Sequence, residues 1–142
     1  MAGGQALDID ATGQQQSLDA PQHMHSLKTG ALIRASVRLA ALVAQADATT
    51  WQELDSFASA LGLAFQIRDD LLDIEGNATE LGKTAGKDVA QGKSTYPALL
   101  GLQGAYAALQ EQRERMNHAL SSIRGDTSAL AELARRASER RS

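Results

Sequence analysis

Three aspartates, Asp69, Asp70 and Asp73, stand within five residues of one another in the segment AFQIRDDLLDIEG. A helix would place all three within about 60° either side of Gln66. This arrangement costs helix stability, because aspartate is a poor helix former and like charges one turn apart repel. Among the residues next to them in sequence, only Arg68 is basic. The cluster therefore predicts a cationic partner that offsets these costs.

A hard divalent cation fits three carboxylates best. Mg²⁺ binds through one or two carboxylates, keeps several waters and shares its coordination with substrate phosphates. A phosphate-bearing ligand is therefore predicted, and lysine is suited to bind it. The alternative is a solvated acidic face with ordinary surface lysines. The candidate phosphate-binding residues lie on both sides of the aspartates: Lys28, Thr29, Lys83, Lys87 and Lys93.

Helices must position these residues, because alanine and leucine dominate the chain and aromatic residues make up only 4% of it. One helix is predicted to start near Ser17 or Asp19. Its apolar face carries residues at spacings of three and four: Leu27, Ala31, Ala35, Leu39 and Leu42. Gly30 interrupts it, and since glycine costs about 1 kcal/mol in a helix, a close backbone contact is expected there.

A second helix is predicted from Trp51 to Ile74, and Gly76 is expected to end it. The Gly- and Lys-rich stretch that follows predicts a long ordered loop. A third helix covers 95–123 and a fourth covers 127–140. The basic tail at 135–142 is expected to be frayed.

Composition narrows the function classes further. The 142 residues suffice for one domain or part of one, and the net charge of −3 gives no sign of a nucleic-acid partner. Cysteine is absent, so disulfides and thiolate metal sites are excluded. No apolar run approaches the roughly 20 residues of a membrane span, and the first residues lack the features of a signal peptide. These features predict a soluble, cytoplasmic protein.

Five segments in order resemble the C-terminal half of the short-chain trans-prenyl diphosphate synthases, most closely the bacterial farnesyl diphosphate synthases. FQIRDDLLD resembles the second aspartate-rich motif of that family. The segments are GGQALD at 3–8, KTGALIRASV at 28–37, LGLAFQIRDDLLDIEG at 61–76, LGKTAGKD at 81–88 and GKSTYPALLGL at 92–102.

The resemblance implies an all-α isoprenoid-synthase fold, of which residues 1–142 form the C-terminal half of a single domain. It implies Mg²⁺-assisted ionisation of an allylic diphosphate and attack by isopentenyl diphosphate on the allylic cation. Full-length relatives are typically homodimers. By motif, each candidate residue receives a role. The expected metal ligands are Asp69, Asp70 and Asp73, and the expected diphosphate ligands are Lys28, Lys83 and Lys93. Thr29 and Gln66 are expected to face the reacting carbons. Phe65 is expected to line the isoprenoid cavity, which Gln5 and Asp8 also face.

The first aspartate-rich motif of the family and its basic isopentenyl-diphosphate site are absent from this sequence. The chain is therefore expected to be a fragment that is inactive in chain elongation by itself. Two alternatives stay open. One is a geranylgeranyl diphosphate synthase, because product length is generally set beside the missing motif. The other is a non-catalytic helical subunit that keeps diphosphate binding.

Overall fold

The computed structural model describes residues 29–80 and 95–140, with side chains up to Gly76 in the first range. Within these ranges the chain forms helices and no strand, which confirms the all-α prediction. The four helices are α1, Ala31–Val43; α2, Ala48–Glu80; α3, Tyr96–Ser121; and α4, Ser128–Glu139. None of the helices in these ranges is long and apolar enough to cross a membrane.

Helix α2 is the centre of the assembly, and the other three helices pack against it. Phe57, Ile67 and Leu71 of α2 are fully buried, as are Tyr96 and Met116 of α3. Small residues complete the contact surfaces and let the helix axes approach closely. They are Ala60 and Ala64 on α2, Ala105 and Ala119 on α3 and Ala134 on α4.

The bounds of α2 differ from the prediction at both ends. The helix begins at Ala48, where the Asp47 carboxylate accepts a hydrogen bond of 2.8 Å from the backbone N–H of Thr50. It continues through Gly76 to Glu80, so the prediction that Gly76 ends the helix is wrong. Gly76 does not adopt the positive φ of a left-handed cap. It is an interior helical glycine, and among the described residues nothing lies within 4 Å of a Cβ built on it.

The apolar face predicted for α1 points away from the described core. Leu39 and Leu42 are 63% and 64% exposed, whereas Ala41 is buried and Ile33 packs against the core. The segment is helical as predicted, but its apolar face is a surface that the described residues leave uncovered. The predicted start of this helix near Ser17 lies outside those residues.

Helices α1 and α2 meet through two glycines. A Cβ built on Gly62 would lie 2.7 Å from the Cα of Gly30, so the two backbones are in direct contact. This is the close contact expected at Gly30. Arg34 and Arg38 of α1 clamp the same pair of helices together, since both donate hydrogen bonds to the Asp55 carboxylate at 2.5–2.7 Å.

Helix α3 is broken at Gly101, where a continuous helix was expected. Gly101 has φ 71° and ψ 168°, a backbone conformation that side-chain-bearing residues rarely adopt. The helix starts at a conventional cap, because the Thr95 hydroxyl accepts a hydrogen bond of 3.3 Å from the backbone N–H of Ala98. The stretch of α3 before Gly101 is thus a separate short segment, and it begins beside Asp70 of α2.

Candidate functional site

The glycine contact between α1 and α2 brings Thr29 and Gln66 together. The Gln66 side chain is buried, and its Nε2 atom donates a hydrogen bond of 3.2 Å to Thr29 Oγ1. These two residues are 37 positions apart in sequence, and both were predicted to face the reacting carbons. Gln66 also lies one helical turn before Asp69 and Asp70. The structure therefore joins the Thr29 segment to the aspartate cluster.

Asp70 has a structural partner on α3. Its Oδ2 atom accepts a hydrogen bond of 3.0 Å from the backbone N–H of Tyr96, the first residue of that helix. The first N–H groups of a helix have no intrahelical acceptor, and the positive end of the helix dipole favours a carboxylate there. Asp70 thus fixes the start of α3 against α2, a role that the sequence analysis did not assign to it.

Asp69 has a cationic partner from the C-terminal end of the described chain. The Arg140 guanidinium donates a hydrogen bond to Asp69 Oδ1, and its Cζ atom lies 4.1 Å from the centroid of the Phe65 ring. The Arg140 carbonyl accepts a hydrogen bond of 2.9 Å from Arg68 Nε. The prediction of a frayed tail is therefore wrong as far as Arg140.

Arg68 does not neutralise the aspartates, although it was the only basic neighbour in sequence. Its guanidinium turns along α2 and binds Glu75 through two hydrogen bonds of 2.8 and 3.0 Å. Tyr106 donates a further hydrogen bond to Glu75. Arg68 and, to a lesser degree, Tyr106 hold the pKa of the Glu75 carboxyl below its usual value, and Glu75 raises the pKa of the Arg68 guanidinium. The three side chains form a polar network beside the aspartates.

The aspartates offer oxygen ligands of the kind that Mg²⁺ prefers, but they do not form a closed cage. Asp69 is half exposed, with 52% of its side chain accessible, and Asp73 is exposed. Among the described residues no three acidic or histidine side chains converge in a geometry that could hold a metal ion. The set fits a cation held by one or two carboxylates that takes its other ligands from water and phosphate. A guanidinium already bound to Asp69 shows that this position accepts positive charge.

The remaining predicted residues lie outside the described part of the chain. They are the diphosphate ligands Lys28, Lys83 and Lys93, the loop residue Lys87, and Gln5 and Asp8 near the start. Their roles stay predictions.

A groove of about 410 Å³ lies between α2 and α3, lined by Ile67, Tyr96 and Gln112 among others. Neither the aspartates nor Gln66 line it. This groove is therefore distinct from the predicted site.

Sequence reasoning missed Arg140, which is 71 positions from its partner Asp69. No local spacing rule links two residues so far apart. The missed signal was the amphipathic pattern of α4, which buries Ala134 and Ser138 and so carries the end of the chain to α2.

Comparison with known proteins decides the family. The family model for polyprenyl synthetases matches residues 1–136. The chain belongs to the polyprenyl synthetase family. Among curated relatives, this polyprenyl synthetase chain is 48% identical over 141 residues to the farnesyl diphosphate synthase of Escherichia coli, covering 94% of this chain and 46% of that protein. It is 43% identical over 106 residues to a chloroplastic geranylgeranyl pyrophosphate synthase of Capsicum annuum, covering 74% of this chain and 29% of that protein.

Solved structures agree with this assignment. A putative farnesyl-diphosphate synthase from a Marinomonas species superposes with a TM-score of 0.80 at 35% identity, covering 98% of this chain and 46% of that chain. An FPP/GFPP synthase from Zymomonas mobilis gives a TM-score of 0.81 at 31% identity, with 96% and 45% covered. The polyprenyl synthetase chain thus has the all-α isoprenoid-synthase fold, and it spans less than half the length of these relatives.

Proposed function

We propose that this chain is the C-terminal half of a single prenyltransferase domain. The whole domain would condense isopentenyl diphosphate with dimethylallyl or geranyl diphosphate to give farnesyl diphosphate. The chain would contribute the aspartate side of the active site and the residues that face the reacting carbons. By itself it would not catalyse chain elongation.

The observation that carries this proposal is the convergence of two motifs at the α1–α2 crossing. Gly30 and Gly62 touch, Thr29 bonds Gln66, and Asp69 follows one turn later. The resemblance assigned Thr29, Gln66 and Asp69 to one site from separate segments. Their proximity supports that assignment, because residues that act on one substrate must lie close together in the fold.

Each side chain then has a defined task. Mg²⁺, when bound, would neutralise the diphosphate that leaves the allylic substrate. Asp69 and Asp73, whose carboxylates are accessible, would supply oxygen ligands for it, with Asp70 held close by its bond to Tyr96. Gln66 and Thr29 would present polar atoms to developing positive charge. Lys28, Lys83 and Lys93 would bind the diphosphate.

The exposed face of α1 fits the same proposal. Leu39 and Leu42 lie on an apolar surface that the described residues do not cover. The matched relatives are about twice as long as this chain, so the part of the domain that it does not match would cover this face. Removing such leucines from water is worth about 1.5–3 kcal/mol each.

Reconstitution tests the proposal. This chain is mixed with the part of the Escherichia coli relative that it does not match, and incorporation of labelled isopentenyl diphosphate into farnesyl diphosphate is measured with Mg²⁺. We expect no turnover from either piece alone and turnover from the mixture. Asp69→Asn should lower the rate by about 100-fold or more, since removal of one group that stabilises transition-state charge has effects of this order.

The matched control is Glu111→Gln, which removes an exposed carboxylate on α3. Its rate should stay within a factor of about two of the parent rate. Turnover by the isolated chain, or equal losses in Asp69→Asn and Glu111→Gln, would contradict the proposal.

The relative from Capsicum annuum favours a second product. It shares 43% identity over 74% of this chain and is a geranylgeranyl pyrophosphate synthase. The reaction class is the same, and the chain length of the product separates the two candidates. Chromatography of the reconstituted products distinguishes 15-carbon from 20-carbon diphosphates. The homodimer, the cytoplasmic location and the alternative of a non-catalytic diphosphate-binding subunit stay predictions.

A further inference from the structure

The position of Arg140 carries an inference beyond the reaction itself. Residues up to Glu139 are helical, and at Arg140 the backbone turns to an extended conformation with ψ 146°. Ser138 is buried against the preceding turn, where its hydroxyl bonds the Ala134 carbonyl. The end of α4 is therefore anchored, and the Arg140 side chain is delivered to α2.

Three contacts hold Arg140 over the aspartates. The Arg140 guanidinium donates a hydrogen bond to Asp69 and stacks on the Phe65 ring. The backbone carbonyl of Arg140 accepts a hydrogen bond from Arg68. Each contact is of a kind that stabilises a positive charge or fixes the residue that carries it. The network of Arg68, Glu75 and Tyr106 holds Arg68 in place for this purpose.

We call the arrangement in which Arg140 contacts Asp69 the docked state. Another cation can nevertheless displace Arg140 from it. The Arg140 Nε atom is buried and has no hydrogen-bond partner among the described residues. Burial of an unpaired donor is unfavourable. Asp69 is half exposed, so a partly solvated ion pair with a modest free energy joins the two residues. A competing cation can therefore reach the carboxylate from solvent.

We propose that Arg140 occupies the cation position at Asp69 in the metal-free protein, and that Arg140 and a divalent cation compete for this carboxylate. The two positive groups cannot share one half-exposed aspartate without strong repulsion. Cation binding therefore releases the guanidinium from Asp69 and Phe65. The inference rests on the proposed role of Asp69, but it concerns a position that this chain fills with its own residue.

The competition has a measurable size. A ligand's apparent affinity falls by the fraction of protein whose site is open. A partly exposed ion pair and one cation–π contact together favour the docked state by roughly three- to tenfold. Removal of the guanidinium in Arg140→Gln should therefore tighten Mg²⁺ binding by about three- to tenfold.

Nuclear magnetic resonance of the ¹⁵N-labelled 142-residue chain, titrated with Mg²⁺ alone, tests this directly. The Nε–H signal of Arg140 is assigned as the one that disappears in Arg140→Gln. We expect Mg²⁺ to move this signal toward the position of free arginine, with the same midpoint as the backbone amides of Asp69 and Asp70. In Arg140→Gln those amides should saturate at a Mg²⁺ concentration about three- to tenfold lower than in the parent chain.

Arg136→Gln is the matched control, because Arg136 lies one turn earlier on α4 and pairs with Glu132 rather than with α2. It removes the same charge and should leave the Mg²⁺ midpoint unchanged within a factor of about two. Equal tightening in both variants would mean a general charge effect and would overturn the proposal. So would an Arg140 signal that stays in place while the aspartate amides saturate, or an absence of Mg²⁺ binding in both the parent and Arg140→Gln.

The outcomes separate this inference from the proposed function. Release of Arg140 by Mg²⁺ together with an inactive reconstituted enzyme supports the competition and contradicts the prenyltransferase proposal. Loss of activity in Asp69→Asn together with an Arg140 signal that Mg²⁺ does not move supports the prenyltransferase proposal and contradicts the competition.

Discussion

Substitution of Gly62 by alanine tests the contact on which the site geometry depends. A Cβ at this position would lie 2.7 Å from Gly30 Cα, whereas carbon atoms in ordinary contact are about 3.5–4.0 Å apart. The obstacle is backbone rather than a movable side chain, so α1 and α2 must separate by about 1 Å. The Thr29–Gln66 hydrogen bond, already 3.2 Å long, would then be lost.

Two opposing effects set the magnitude. Forcing an extra carbon into a well-packed contact costs about 1–3 kcal/mol. Replacing a helical glycine by alanine contributes up to about 1 kcal/mol of stability. Gly62→Ala should therefore lower the free energy of unfolding by roughly 0–2 kcal/mol.

Gly76→Ala is the control that isolates the contact. Gly76 lies in the same helix, and no atom of the part of the chain that the structure describes lies within 4 Å of a Cβ built there. It keeps the gain in helix propensity without the clash, so it should raise the free energy of unfolding by up to about 1 kcal/mol. The two variants should differ by about 1–3 kcal/mol, which for a typical urea m-value is a separation of roughly 1 M in midpoint.

Urea unfolding followed by circular dichroism measures that separation. Equal stabilisation of the two variants would refute the reasoning, because it would mean that α1 and α2 are not in backbone contact at Gly30. A separation with the opposite sign would refute it equally.

Three further predictions concern the scaffold. Asp55→Asn should destabilise the fold by about 1 kcal/mol at pH 7, because Arg34 and Arg38 hold the pKa of Asp55 well below its usual range. The folded pKa lies below the unfolded one, so this stability is present above about pH 4 and disappears as the pH falls further; urea midpoints of variant and parent should converge there. Gly101→Ala should cost about 1–3 kcal/mol in urea unfolding, because φ 71° with ψ 168° is a conformation that is essentially restricted to glycine. Phe57→Ala should cost about 3–5 kcal/mol in the same assay, since the ring is fully buried.

Each has an outcome that would contradict it. For Asp55→Asn it is a difference between variant and parent that persists unchanged at pH 3. For Gly101→Ala it is a gain in stability, which would indicate an ordinary helical backbone. For Phe57→Ala it is a loss no larger than that of an exposed residue.

The fold class was predictable because it depends on local periodicity. Apolar spacing of three and four and the dominance of alanine and leucine predicted a helix in each part of the chain where the structure describes one. The cap at Thr95 and the exposure of the apolar face of α1 were not predicted. The helix ends were harder to predict. Gly76 and Gly101 are the same residue type in helical stretches, yet the first continues a helix and the second breaks one. Glycine adopts both negative and positive φ readily, so the residue type does not decide between the two conformations.

The candidate site was also predictable only where local sequence patterns determine it. Spacing placed Gln66, Asp69, Asp70 and Asp73 on one stripe of α2, and the family resemblance predicted that Thr29 and Gln66 face the same reacting carbons; the hydrogen bond between these two residues is consistent with that prediction. The partners of the aspartates did not, because Tyr96 and Arg140 reach them from other helices across 26 and 71 positions. Arg68 was the obvious neutralising residue by sequence, but a helix turns successive side chains in different directions, and Glu75 lies where the guanidinium points.

The contact between Gly30 and Gly62 has a consequence for how tolerance to mutation would be interpreted. Both partners already have the smallest side chain, so no second-site change can make room for a substitution at either. In a saturation library of this chain selected for activity of the reconstituted enzyme, as the proposed function requires, nearly every amino-acid change at Gly62 would be depleted as strongly as changes at Gln66. A parallel selection for cellular protein abundance would separate them, because Gly62 variants would be depleted there and polar replacements of Gln66 would survive. Depletion under both selections would mark a position that shapes the site, and depletion under activity alone would mark one that acts in it.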